Sequence, residues 1–229
     1  MTQLTANWKK SPVPKPATPP PGFPDKFTEK IITMPDAEQL AFYMGHPGIK
    51  RDNPDYFKLL VMDYVLGTGP GFTDRLSARL RDRQGLAYTV SANISSSAGE
   101  EPGTFTCYIG TEAKHFDKVK GIFLEELNRI RDTKPTDQEV EDAKKYLLGS
   151  LPFRFTTNDR IAGQLLSIER YKLGFGYLDD FKKNVSAVTP ADIQTVAKKY
   201  IDPKRMVLVV AGALDQSGRP VLRLAPPKN

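Results

Sequence analysis

Leu80-Arg81-Asp82-Arg83-Gln84-Gly85-Leu86-Ala87-Tyr88 reads as a helix-to-strand turn that sets a fixed cation, Arg81, and a phenol, Tyr88, seven residues apart. Upstream, Leu76 and Leu80 lie four apart and predict a helix over about Thr73 to Arg83. Before it runs a glycine-bearing loop, Leu66-Gly67-Thr68-Gly69-Pro70-Gly71-Phe72-Thr73. An earlier helix is expected over Pro54 to Leu66, with Asn53 as N-cap and Pro54 in the first position, where its missing N–H costs little. Two strands, Lys26 to Thr33 and Gln39 to Met44, open the pattern.

Downstream, strands are expected at Ala87 to Ser95 and Gly103 to Thr111. Phe116, Val119, Phe123, Leu127 and Ile130 mark one face of an amphipathic helix, and Thr136-Asp137-Gln138-Glu139 is a capping box that opens another. Helices follow at Asn158 to Leu173, Tyr177 to Val185, and from Thr189-Pro190 to before Pro203; Met206 to Ala211 is a last strand. Strands, then a run of helices, then one strand predict an α+β fold, a mostly antiparallel sheet with helices packed on one face. Residues 1–24 read as the tail of a preceding domain plus a proline-rich spacer, with seven prolines between Ser11 and Pro24, and 25–229 as one domain.

Composition excludes several functions. No apolar run approaches the ~18 residues of a membrane span, so no membrane partner is expected. The net charge of +6, from 33 basic and 27 acidic residues, is dispersed, with neither a basic run nor interleaved aromatics. A nucleic-acid-binding module is therefore the weakest of the functions considered. The single cysteine, Cys107, alternates with apolar residues in a strand and reads as a buried thiol. Gly67, Gly69 and Gly71 lack the Gly-Lys-Ser/Thr of a phosphate loop and follow a helix rather than a strand, which argues against a nucleotide site. Neither His46, placed in a loop, nor His115, near a helix start, has a partner at metal-binding spacing, so no metal ligand is assigned. The glutamates Glu125, Glu126, Glu139 and Glu141 read as solvated helix charges.

The glycine loop followed by Thr73-Asp74-Arg75-Leu76, and then Arg81-x-x-x-Gly85-Leu86-Ala87-Tyr88, resembles the second-half signature of the insulinase–pitrilysin family of zinc peptidases, which includes the mitochondrial processing peptidases. The likeness runs from Trp8 to Val210-Ala211-Gly212. It implies a substrate-binding half-domain in which Arg81 anchors a peptide carbonyl and Tyr88 hydrogen-bonds near the scissile carbonyl. Gly67, Gly69, Gly71 and Phe72 would border the shared chamber. On spacing alone the plainer alternative stands: Arg81 as a surface helix residue, Tyr88 packing by its ring. The family's His-x-x-Glu-His is absent, so the resemblance implies no cofactor in this chain, zinc in a partner half, and no catalysis by this chain alone. Partners would be a peptide substrate, which an edge strand would extend by β-addition, and a zinc-bearing homologous N-terminal domain or separate subunit, forming a dimer in the intact protein. A non-catalytic assembly subunit of the same fold is the alternative, and a bacterial periplasm the family-level expectation for location.

Overall fold

A computed structural model describes residues 21–69, 73–86 and 89–221, together with residues 7, 9 and 19. Five strands form one sheet: β1 (Thr28–Thr33), β2 (Leu40–Pro47), β3 (Val90–Asn93), β4 (Thr104–Thr111) and β5 (Val207–Gly212). Their spatial order is β1-β5-β2-β4-β3, and every pairing is antiparallel except β1 with β5. This is the mostly antiparallel sheet expected.

Strand alternation decides which face is covered. Leu40, Phe42, Met44 and His46 of β2 share a side with Phe105, Cys107 and Ile109 of β4 and with Leu208 and Val210 of β5, and all are buried. The opposite side carries exposed or half-buried residues, Tyr43 and Tyr108 among them, with ring centroids 4.7 Å apart. Among the described residues six α-helices lie on the buried side: α1 (Tyr56–Leu66), α2 (Phe116–Asp132), α3 (Asp137–Gly149), α4 (Asn158–Arg170), α5 (Tyr177–Ala187) and α6 (Pro190–Tyr200). Helix α1 is central and packs on α3, α5, α6 and β3. The predicted stripe of α2 is buried throughout, each of its larger side chains contributing about 1.5–3 kcal/mol. Thr136 and Glu139 close the capping box of α3 reciprocally, and Thr189 with Asp192 does the same for α6, where Pro190 takes the first turn.

Three local readings are corrected. Helix α1 begins at Tyr56 rather than at Pro54; Asn53 Oδ1 accepts from the Asp55 N–H at 2.9 Å, so its side chain closes a turn before the helix. Strand β2 continues through His46 and Pro47, because Gly45, His46 and Pro47 pair with Thr106, Phe105 and Thr104; the proline falls at the strand end, where a lost donor is tolerated. His46 is therefore a core residue, 4% exposed, with Nδ1 donating to Pro47 O at 2.8 Å and Nε2 accepting from Asp202 N at 3.3 Å. The end of the proline-rich segment rests on the domain: Phe23 stacks on His46 at 5.0 Å, and Arg205 Nε donates to Pro24 O at 2.9 Å.

Candidate functional site

The segment 73–86 connects the glycine loop to β3 and carries Arg81. Asp74 Oδ1 accepts from Ser77 N at 2.8 Å and starts the turn. Leu76 and Leu80 are fully buried, as their spacing predicts. The helix that carries Leu80 and Arg81 is not α: Ser77–Asp82 is π-helical, and Arg83 N reaches Ala78 O at 3.2 Å, five residues back. Single π-turns carry an extra residue per turn and gather at functional sites. The segment ends where Gly85, at φ 61°, turns the chain and Leu86 N bonds Leu80 O at 2.8 Å. Thr111 Oγ1 donates to Leu86 O at 2.6 Å and ties that exit to β4.

Two ion-pair systems pin this arm to the helices behind it. Arg75, 8% exposed, gives a two-pronged contact to Glu139 of α3, Nε at 2.6 Å and Nη2 at 3.1 Å. Arg79 Nη1 donates to Glu126 of α2 at 2.9 Å, and its Nη2 pairs with Glu125. A cavity of about 600 Å³ lies between these pairs. Burial raises the Glu139 carboxyl, but hydrogen bonds from Arg75 and Thr136 outweigh it and hold the group down at about 2. These anchors escape a reading by residue type, since Glu126 is 1% exposed and Glu139 is half-buried, not solvated. The signal was present in spacing: Glu126 falls between Phe123 and Ile130 on the apolar stripe of α2.

Gly67 and Gly69 lie against this arm. The Gly67 carbonyl accepts from Ala92 N at 3.1 Å, and Thr68 Oγ1 donates to Ala92 O at 3.1 Å. A Cβ on Gly67 would stand 2.6 Å from Ala92 N, so the close approach of loop to strand needs glycine. At Gly69 a Cβ would lie 2.9 Å from Thr73 Oγ1. Beneath the loop, Asp63 of α1 is buried and accepts from Ile94 N, Ser95 N and Ser95 Oγ. Burial pushes its carboxyl up to about 7 against those bonds.

Glycine loop, π-turn and the entry to β3 thus converge at one end of the sheet, with Arg81 half-buried on the turn. Tyr88, Gly71 and Phe72 lie outside the described residues. β-Addition at the β3 edge is blocked at Ala92, whose outward N–H and C=O are taken by Gly67 and Thr68; by two-residue alternation the next outward pair belongs to Val90. Among the described residues no three His, Cys, Asp or Glu side chains converge as a metal site requires. The two histidines do not fit zinc, His46 being engaged on both nitrogens within the core. Among the described residues no helix is long and apolar enough to cross a membrane.

The family profile described as peptidase M16 inactive domain matches residues 1–147. A Helicobacter pylori protein named non-peptidase homolog YmxG is 37% identical over 150 residues, covering 64% of this chain and 32% of that protein. The Bacillus subtilis uncharacterized zinc protease YmxG is 29% identical over 140 residues, covering 61% and 33%. The solved M16 inactive domain from Pseudomonas fluorescens superposes with a TM-score of 0.77 at 28% identity, covering 91% of this chain and 47% of that one. The chain therefore spans about a third of the length of these curated relatives and about half of the solved one.

Proposed function

Because the chain belongs to the M16 peptidase inactive-domain family, we propose that it is the substrate-binding half of a zinc-dependent metalloendopeptidase acting on unstructured peptides. Zinc, which the other half would hold, would activate the attacking water; this chain contributes hydrogen-bond donors to the substrate. Arg81 presents a rigid guanidinium to a peptide carbonyl, and Tyr88 offers its hydroxyl where negative charge develops on the scissile carbonyl. The observation that carries this reading is the π-turn bearing Arg81, clamped by the Arg75–Glu139 and Arg79–Glu126 pairs beside the glycine loop. Such clamping preorganises a donor, and preorganisation is what gives it value in a transition state.

The test is reconstitution with the zinc-bearing half and an unstructured reporter peptide. Tyr88→Phe is expected to lower kcat about 10²-fold with KM little changed, whereas Arg81→Ala raises KM. Unchanged turnover in both variants overturns the reading. It would favour the alternative of a non-catalytic assembly subunit, which the name of the Helicobacter pylori relative supports.

A further inference from the structure

A second site lies along α1, bordered at one end by Thr68 of the glycine loop. There a cavity of about 340 Å³ opens between α1, α4 and the start of α5. Tyr56, Tyr64, Tyr171 and Tyr177 line one part of it with Ile168 and the guanidinium of Arg51, and polar side chains, Asn93 and Gln164 among them, line the rest. The volume falls in the range of small-ligand pockets, and the lining of flat rings around one charged group is what orients a ligand in them.

Arg51 is held in place. Its guanidinium carbon sits 3.7 Å above the Tyr56 ring and 5.5 Å from that of Tyr177. Its Nη2 donates to the Tyr177 hydroxyl at 2.7 Å, and its backbone N–H donates to Gly99 O at 2.8 Å. Yet among the described residues Arg51 forms no ion pair, unlike Arg75 and Arg79. A guanidinium has five N–H donors, and the Tyr177 bond uses one. Its remaining N–H groups stay accessible, so an incoming carboxylate can take two of them side by side. Asp63 also lines the cavity but does not serve, because its oxygens are taken by Ile94 and Ser95.

Helix α4 is suited to admit a ligand. Ile168 is its one buried residue, while Leu165 and Leu166 remain exposed, and its main packing partner is the 3-10 turn Leu151–Phe155 rather than the core. A cover seated so lightly moves at low cost.

We propose that this cavity binds a carboxylate carried on an aromatic or apolar body, with Arg51 gripping the carboxylate and the tyrosines enclosing the body. Both a free small carboxylate and a peptide C-terminus have that chemistry. Its lining includes no residue of the arm 73–86, although Thr68 of the glycine loop borders it, so the test below does not draw on the peptidase reading.

The full chain is titrated calorimetrically with phenylacetate and its amide, and with the peptide Ala-Ala-Phe as free acid and as C-terminal amide. The acids are expected to saturate the site, and the amides to bind about tenfold more weakly or not at all. Arg51→Met is expected to erase the preference for acids, and Tyr177→Phe to weaken acid binding severalfold while the thermal midpoint reports that the fold persists. Phenylacetate binding as tightly as the peptide acid identifies a small-molecule site; binding by the peptide acid alone identifies a peptide terminus. Equal binding of acid and amide, a preference that survives Arg51→Met, or no saturation by either acid overturns the proposal. Should Arg51→Met not fold, the acid-to-amide comparison and Tyr177→Phe still decide it.

Discussion

Glu139 works in two places at once. Its Oε2 accepts from the Thr136 N–H at 2.7 Å to complete the capping box, while its carboxylate takes both prongs of Arg75. Replacing it with glutamine keeps a capping acceptor but leaves Arg75, 8% exposed, without its counter-ion. Glu139→Gln is therefore expected to destabilise the protein by about 2–4 kcal/mol, read by urea denaturation. A loss within the error of the measurement would show that the pair is ornamental. The capping role was legible from Thr136-Asp137-Gln138-Glu139, because a cap is local. The ion pair was not, because Arg75 and Glu139 are 64 residues apart and nothing local to either names the other. Arg81 was singled out by motif and lies half-buried on the arm, while Tyr88, its partner in the motif, lies outside the described residues.

Among the elements, the arm 73–86 separates what periodicity can and cannot reveal. Leu76 and Leu80 announced a helix, and both are buried. The π register of Ser77–Asp82, which contains Leu80, left no such mark, since two leucines four apart are too few to tell one helical register from another. Gly85 closes the π-turn at φ 61°, and a Cβ there would meet nothing within 4 Å. The cost of Gly85→Ala is thus conformational alone, about 1 kcal/mol. The variant is expected to fold with a slightly lower urea midpoint and, in the reconstituted enzyme, to raise KM if it displaces Arg81. An undiminished midpoint would mean that the turn relaxes to another register. The same contrast holds for β2: Gly45-His46-Pro47 has the composition of a turn, but pairing with β4 overrides composition.

For the whole molecule, the run of strands, helices and strand sufficed to predict α+β with one covered face, because alternation and amphipathic spacing are global as well as local signals. Strand order was out of reach, since it depends on contacts distant in sequence. Titration also acts on the whole. Asp63 has its pKa raised from 3.8 to about 7, so between those values the folded state keeps a proton that the unfolded chain has released. Its contribution is full below about pH 4 and declines by about 1.4 kcal/mol per pH unit, levelling above 7. His46 opposes this: burial lowers its pKa from 6.5, so its contribution is present above 6.5 and lost as pH falls. Glu139 acts lower still, its contribution being lost only as pH drops from 4.5 toward 2. The difference in unfolding free energy between wild type and Asp63→Asn isolates the first effect. It is expected to fall steadily from pH 4 to 7, and a flat difference would show that Asp63 is ionised throughout. Finally, β5 lies between β1 and β2, and among the described residues β1 has no other neighbour in the sheet. During synthesis, β1 leaves the ribosome well before its partner and must therefore wait, with Ile31 and its open backbone uncovered, until Val207–Gly212 has been translated. A nascent chain stalled anywhere before that point is half a sheet with two unsealed seams, the form that chaperones capture and that aggregation consumes.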